Sequence, residues 1–302
     1  MVIQHRRPQV ALAAPTHRFG APSRTALATA YARAFHQIAD TPRIFTDPLA
    51  ARILSHSDAD LRRLRDIKAS HPAHPAVSNR VRRLYIAARA QFAEDLIAQA
   101  AARGTSQVVI LGAGLDTFAY RNTTAGQHVF EVDEPITQSW KRRHLAAAGI
   151  RSPSTVTFVP VDFETQEIQT ELARAGFRCG EAAIFVWMGV TMYLTTVAIE
   201  KTLRFIAAQA PPTEVVLDYI EKPTTAQSRS NLNRRARKVA SLGEPWHSFF
   251  DHSDVAETLC AVGLTPVIEH GAADLIASYA PHSLTISSTT DTLPRVLHAA
   301  RA

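Results

Sequence analysis

The run VVILGAGLDTFAYR, Val108–Arg121, decides the fold. It opens with four apolar residues, three of them β-branched, which is the composition of a strand buried on both faces. Gly112, Ala113 and Gly114 then break the run. Glycine tolerates positive φ and lets a ligand come close to the backbone, so a glycine turn leaving a buried strand is a candidate binding loop. In doubly wound sheets ligands sit outside the carboxyl ends of the strands, beside the point where strand order reverses. A second apolar strand is expected at His128–Val132, and Asp133 ends it, 21 residues past Gly112. An acid at that place can accept hydrogen bonds from ribose hydroxyls.

Outward from this pair, apolar runs alternate with helical patterns. Further strands are expected at residues 107–111, 156–161, 182–186 and 214–219, with helices at 135–148, 165–175 and 196–209. Alternation of buried strands and helices implies a parallel sheet covered on both faces. Upstream, helices are expected at 25–38, 49–54, 60–67 and 76–103. Downstream come a basic helix at 225–242, a helix at 253–262, a strand at 265–269 and a last strand at 283–287. The fold class is α/β: a Rossmann-like sheet with a helical N-terminal extension and a helical insertion. The division is a tail at 1–22, a helical cap at 23–104, the core at 105–290 with its insertion near 222–252, and a C-terminal tail at 291–302.

The chain of 302 residues is 46% hydrophobic, enough for a sizeable core. No apolar run approaches the roughly 20 residues of a membrane span. Cys179 and Cys260 lie far apart and form neither a disulfide framework nor a metal cluster. A cytoplasmic setting without a bound metal is expected. The net charge of +6 is assigned to tails and exposed helices, because zinc-finger spacing, an RNP-like strand and a helix-turn-helix signal are all missing. Neither a nucleic-acid nor a membrane partner is expected, and the oligomeric state is left open.

Two cofactors fit the glycine turn. A dinucleotide favours a third glycine where Thr117 stands, since its pyrophosphate rests on the helix N-terminus. Asp116 would repel that pyrophosphate. S-adenosylmethionine carries no phosphate and tolerates an acid there, so it is the expected cofactor.

The run QVVILGAGLDTFAYR (Gln107–Arg121) closely resembles the signature loop of the leucine carboxyl methyltransferase family, nearest its bacterial O-methyltransferases. RTALATAYARAF (Arg24–Phe35), IFTDPLAARIL (Ile44–Leu54), FEVDEP (Phe130–Pro135), VPVDFET (Val159–Thr165), FVWMGVTMYLT (Phe185–Thr195) and GEPWHSFF (Gly243–Phe250) resemble further motifs in the same order. The resemblance covers residues 24 to 288. It implies a class I methyltransferase sheet. It also implies that Gly112, Ala113, Gly114 and Asp116 form the turn beside the methionine part of the cofactor. Asp133, with Glu131 nearby, would hold the ribose, Asp162 and Phe163 would contact the adenine, and Arg89 would bind the cofactor carboxylate. A guanidinium suits that last role because it grips a carboxylate bidentately. Two positions depart from the family pattern. Ala90 replaces a threonine, and Met188 replaces the glutamate before Gly189, at a cofactor contact.

Methyl transfer from a sulfonium needs alignment and exclusion of water more than acid–base chemistry. A carboxylate nucleophile is already ionised near neutral pH and needs no base, whereas a phenol or alcohol wants one. The sequence shows no catalytic dyad. Tyr193 and His247 are the candidate acceptor-side residues; the alternatives are a packed aromatic and an ordinary loop histidine. Trp246 and Phe249 line either an apolar pocket or the core. The basic run Arg229, Arg234, Arg235, Arg237 and Lys238 reads as a solvated helix face, with electrostatic guidance of an anionic substrate as the alternative. The expected function is O-methylation of a small-molecule carboxylic acid to its methyl ester. A peptide or protein C-terminal carboxylate, a hydroxyl acceptor and a non-catalytic nucleotide-binding module are the competing readings.

Overall fold

The computed structural model describes residues 23–64, 71, 73–281, 283 and 293–301. The cap comprises α1 (Arg24–Ala39), α2 (Asp58–Arg63), α3 (His74–Ser78) and α4 (Arg80–Ala102). The core follows as β1 (Gln107–Leu111), β2 (His128–Asp133), α5 (Pro135–Ala147), β3 (Val156–Pro160), α6 (Ile168–Arg174), β4 (Ala183–Trp187), α7 (Thr196–Ala207) and β5 (Thr213–Tyr219). Then come α8 (Ala226–Ala240), α9 (His252–Ala261), β6 (Val267–His270), α10 (Ala272–Tyr279) and β7 (Arg295–Arg301). The sheet runs β3-β2-β1-β4-β5-β7-β6. The first five strands are parallel, while β7 is antiparallel to both β5 and β6. This is the expected α/β Rossmann-like sheet, and α8 is the helical insertion.

Alternation along β1 divides the interior. Val108 and Ile110 face a core shared with α1, α4, α5 and α10; Val109 and Leu111 face another built with α6, α7 and α9. Burial of each such side chain contributes about 1.5–3 kcal/mol. Strand order reverses at β1, with β2 on one side and β4 on the other. The register sets Leu111 beside Val132, and Ile110 beside Val186. The carboxyl ends of β1, β2 and β4 therefore meet at one place, where the glycine turn, Asp133 and Met188 lie.

Two expectations need correction. The single helix at 76–103 is two, because Asn79 is extended (φ −126°, ψ 95°) and its side chain accepts from Arg82 N at 2.9 Å as the cap of α4. Residues 295–301 form a central strand in place of the C-terminal tail. Val296, Leu297 and Ala299 are fully buried there, and the polar residues between them have distant partners: His298 meets Glu214 at 2.8 Å, and Arg301 donates to Ala207 O at 2.7 Å. Helix α10 was not anticipated. The strand expected at 283–287 lies, apart from Ser283, outside the described residues.

Candidate functional site

The turn after β1 is held by the end of β2. Gly112 N and Ala113 N donate to Val132 O at 2.8 and 3.0 Å, and Gly114 N donates to the Asp133 carboxylate. Gly112 and Gly114 take φ of +68° and +45°, in the left-handed region that glycine favours. Their bare Cα faces are packed against neighbouring side chains. A Cβ on Gly112 would fall 2.2 Å from Val190 Cγ2, and one on Gly114 would fall 3.3 Å from Ala26 Cβ of α1. The cap helix thus lies directly over the turn. Asp116 stays local, accepting from Phe118 N at 2.7 Å.

Asp133 is the acid that remains open to a ligand. Its second donor is Glu134 N at 2.7 Å, and each oxygen has lone-pair capacity left. Burial pushes its carboxyl up to about 6, against the pull of those two backbone N–H groups and of Lys141. A desolvated carboxylate with spare acceptor capacity fits the hydroxyl pair of a ribose. Glu131, expected near the ribose, has its carboxylate engaged within the protein. It lies one layer deeper on the same face of β2, almost fully buried, with Lys141 Nζ at 2.8 Å and Tyr120 Oη donating at 2.8 Å. Burial raises its carboxyl too, and Lys141 and Tyr120 oppose the rise.

Arg89 reaches the site from the buried face of α4. One Nη donates to Asp218, whose other oxygen accepts from Gly189 N at 2.6 Å. Burial works against the charge of Arg89, and the Asp218 carboxylate together with Tyr85 more than offsets it, so the guanidinium ends above its usual range. A Cβ on Gly189 would lie 3.4 Å from Arg89 Nη1, so this glycine leaves room for the arginine at the end of β4. Its remaining donors can take a carboxylate. Met188, the preceding residue, is half-buried against the core on the α4 side.

The expected adenine contacts divide. Asp162 turns its carboxylate onto its own loop, accepting from Glu164 N and Thr165 Oγ1, both at 2.9 Å. The Phe163 ring stacks on Trp187 in the core, with centroids 6.5 Å apart. Tyr193 sits in a 3₁₀ turn at Thr191–Tyr193, its hydroxyl enclosed by Thr25 and Trp246, and burial raises it. His247 is pinned through its backbone, which donates to Met192 O at 2.7 Å, while its side chain is exposed.

Sequence reasoning missed three acids that assemble the site. Asp218 betrayed itself only as a second charge, after Glu214, inside the Thr213–Tyr219 strand TEVVLDY. Glu244 grips the start of α1, accepting from Arg24 N at 2.7 Å and Thr25 Oγ1 at 2.6 Å. Asp47, almost fully buried, accepts from Thr117 Oγ1 at 2.7 Å and Arg33 Nε at 3.2 Å, joining cap to turn.

A profile of the leucine carboxyl methyltransferase family matches residues 26–207, from α1 through the glycine turn to the end of α7. The chain belongs to the leucine carboxyl methyltransferase family. Methyl transfer is therefore its class of reaction, and S-adenosylmethionine is the methyl donor of this family member. It is 30% identical over 268 residues to "Putative S-adenosyl-L-methionine-dependent methyltransferase YktD" of Bacillus subtilis (strain 168), covering 82% of this chain and 88% of that protein. A similarly named protein of Mycobacterium avium (strain 104) is 34% identical over 251 residues, covering 79% of this chain and 82% of its own. Among solved structures, one titled as a putative methyltransferase from Thermobifida fusca YX superposes with a TM-score of 0.57 at 14% identity. The match covers 87% of this chain and 99% of that one, and supports the fold. Among the described residues no helix is long and apolar enough to cross a membrane.

Proposed function

We propose that this methyltransferase converts a carboxylate of a small-molecule natural product into its methyl ester. Asp133 is assigned to the ribose hydroxyls of S-adenosylmethionine and Arg89 to its carboxylate, with the turn Gly112–Asp116 between them. The bound cofactor supplies a methyl group on a sulfonium, a neutral thioether being the leaving group. The chain's part is to hold the acceptor oxygen in line and keep water out. The carrying observation is the kind of group beside Tyr193. The arginines Arg82 and Arg235 and Trp246 surround it, while Glu244, the nearest acid, is committed to the start of α1. His247 stays exposed. A carboxylate acceptor needs no base, and its oxygen attacks the methyl carbon as the carbon–sulfur bond breaks, with no proton to move. The closeness of Ala26 to the turn favours a small acceptor over a protein C-terminus, which would need a wide cleft. A cytoplasmic location accords with two free, exposed cysteines.

The test incubates the protein with methyl-labelled S-adenosylmethionine and a pool of metabolite acids. Incorporated label is expected to be released by mild alkali, as methyl esters are. Alkali-stable label would overturn the ester. Calorimetry should show S-adenosylmethionine binding that Asp133→Ala weakens at least tenfold; equal affinity in that variant would remove Asp133 from the site.

A further inference from the structure

The face of α4 that carries Arg89 also carries Arg82 and Tyr85, at spacings of seven and four residues. Arg82 lies about 10 Å along the helix from Arg89, at 1.5 Å per residue. Opposite them stand Arg235 of α8 and Trp246 of the loop before α9, with the Arg235 guanidinium 5.3 Å from the centre of the indole ring. Two guanidinium nitrogens here, Arg82 Nε and Arg235 Nη1, are buried without a hydrogen-bond partner among the described residues, while the Tyr85 hydroxyl lies against Arg89 and the Trp246 indole N–H against Tyr193. Both nitrogens can only donate, and the phenol and the indole can donate as well. Neither arginine has an acidic partner among the described ion pairs. Burial depresses both guanidinium groups, Arg235 to about 10, and each is further lowered by a neighbouring arginine, Arg89 for Arg82 and Arg82 for Arg235. The groups facing them are Tyr85, Tyr193 and Arg89, so no negative charge relieves the pair.

Two half-buried guanidinium groups whose inner nitrogens lack a partner carry a desolvation cost that a ligand of opposite charge would offset. We propose that Arg82 and Arg235, with Tyr85 and Trp246, form the acceptor's anion-binding site, which takes a carboxylate carried on an apolar body. Met192, Ile220 and Leu232 pack against Tyr193 and Trp246 and supply the apolar wall. The site separates acid from ester. A carboxylate gives the two guanidinium groups an acceptor and their counter-ion, whereas the methyl ester has lost the charge and the best acceptor. Substrate is thereby held and product released. The inference rests on the carboxylate reading given above and adds the residues that recognise the acid.

The test measures thermal unfolding of the full chain with benzoate, methyl benzoate and benzamide at fixed ionic strength, alongside calorimetry with S-adenosylmethionine. Benzoate alone is expected to raise the Tm of the wild type. Arg235→Gln and Arg82→Gln should each lose at least nine-tenths of that rise. Arg235→Met should melt no lower than wild type without ligand, since it removes an unpaired buried charge, and a merely structural arginine would destabilise on loss. S-adenosylmethionine affinity in Arg235→Gln should match wild type, which separates failure of this site from failure of the cofactor reading. An equal rise with benzamide, a full benzoate response in both glutamine variants, or no benzoate response in a wild type that binds S-adenosylmethionine would overturn the proposal.

Discussion

Asp133 gives the site its pH dependence. Its carboxyl is held near 6, above the ordinary carboxylate range, because burial opposes the charge more than its two backbone donors favour it. Ribose hydroxyls donate to the ionised form. S-adenosylmethionine affinity should therefore fall about tenfold between pH 7 and pH 5 as the group protonates, one pH unit below such a pKa leaving roughly a tenth ionised. Stability runs the other way. The folded state holds this proton more tightly than the unfolded chain, so the contribution of Asp133 to the fold improves as pH drops through 6 toward 4. In Asp133→Asn both trends should vanish, leaving weaker binding at neutral pH and a flatter profile. Calorimetry across pH, paired with denaturation of both proteins, reads the two signs together; parallel slopes in wild type and variant would contradict them. The position of Asp133 beside the turn was legible because it ends an apolar run at a fixed distance from Gly112. The pairing of Glu131 was not, since its partners Lys141 and Tyr120 arrive from other elements.

At the scale of elements, the cap is coupled to the sheet by buried charge. Asp47 follows α1 and binds Arg33 of that helix, Thr117 of the cofactor turn and Arg121, 3.4 Å away. Arg33 in turn donates to Leu115 O. Asp47→Ala would leave Arg33 buried without its carboxylate, a defect of about 3–5 kcal/mol. We expect a lower denaturant midpoint and weaker S-adenosylmethionine binding together, because one residue fixes both the helix and the turn. A variant that lost stability but bound the cofactor as before would uncouple them. The elements themselves followed from periodicity from β1 to β5, where strand and helix patterns alternate cleanly. Asn79 was hidden because helical composition continues on both sides of it, and only its capping contact with Arg82 N marks the break. The basic helix α8 was read as one solvated face. Four of its five named cations are exposed, while Arg235 turns inward onto Trp246, a choice made by the loop at 243–250 and invisible within the helix.

For the whole molecule, the least legible feature is the one that completes the sheet. Strand β7 joins β5 to β6 by antiparallel pairing on both sides, so chain ends and middle close on each other only at the last residues. Its sequence, RVLHAAR, reads as a tail because Arg295, His298 and Arg301 interrupt the apolar positions. Those charges are tolerated through Glu269, Glu214 and carbonyls at and just past the end of α7, partners 26 or more residues away. The consequence reaches the site through β5. Val296 pairs with Asp218, the acid that holds both Arg89 and Gly189, so β7 backs the residue that orients the arginine proposed for the cofactor carboxylate. Deleting residues 293–302 would strip the partner from β5 and expose its edge, and exposed edges pair with other chains. The shortened protein should aggregate or unfold at a much lower denaturant concentration, and any soluble fraction should bind S-adenosylmethionine poorly. If it instead kept the wild-type midpoint and affinity, β7 would be an accessory to the sheet and Asp218 would be positioned by β4 and α4 alone.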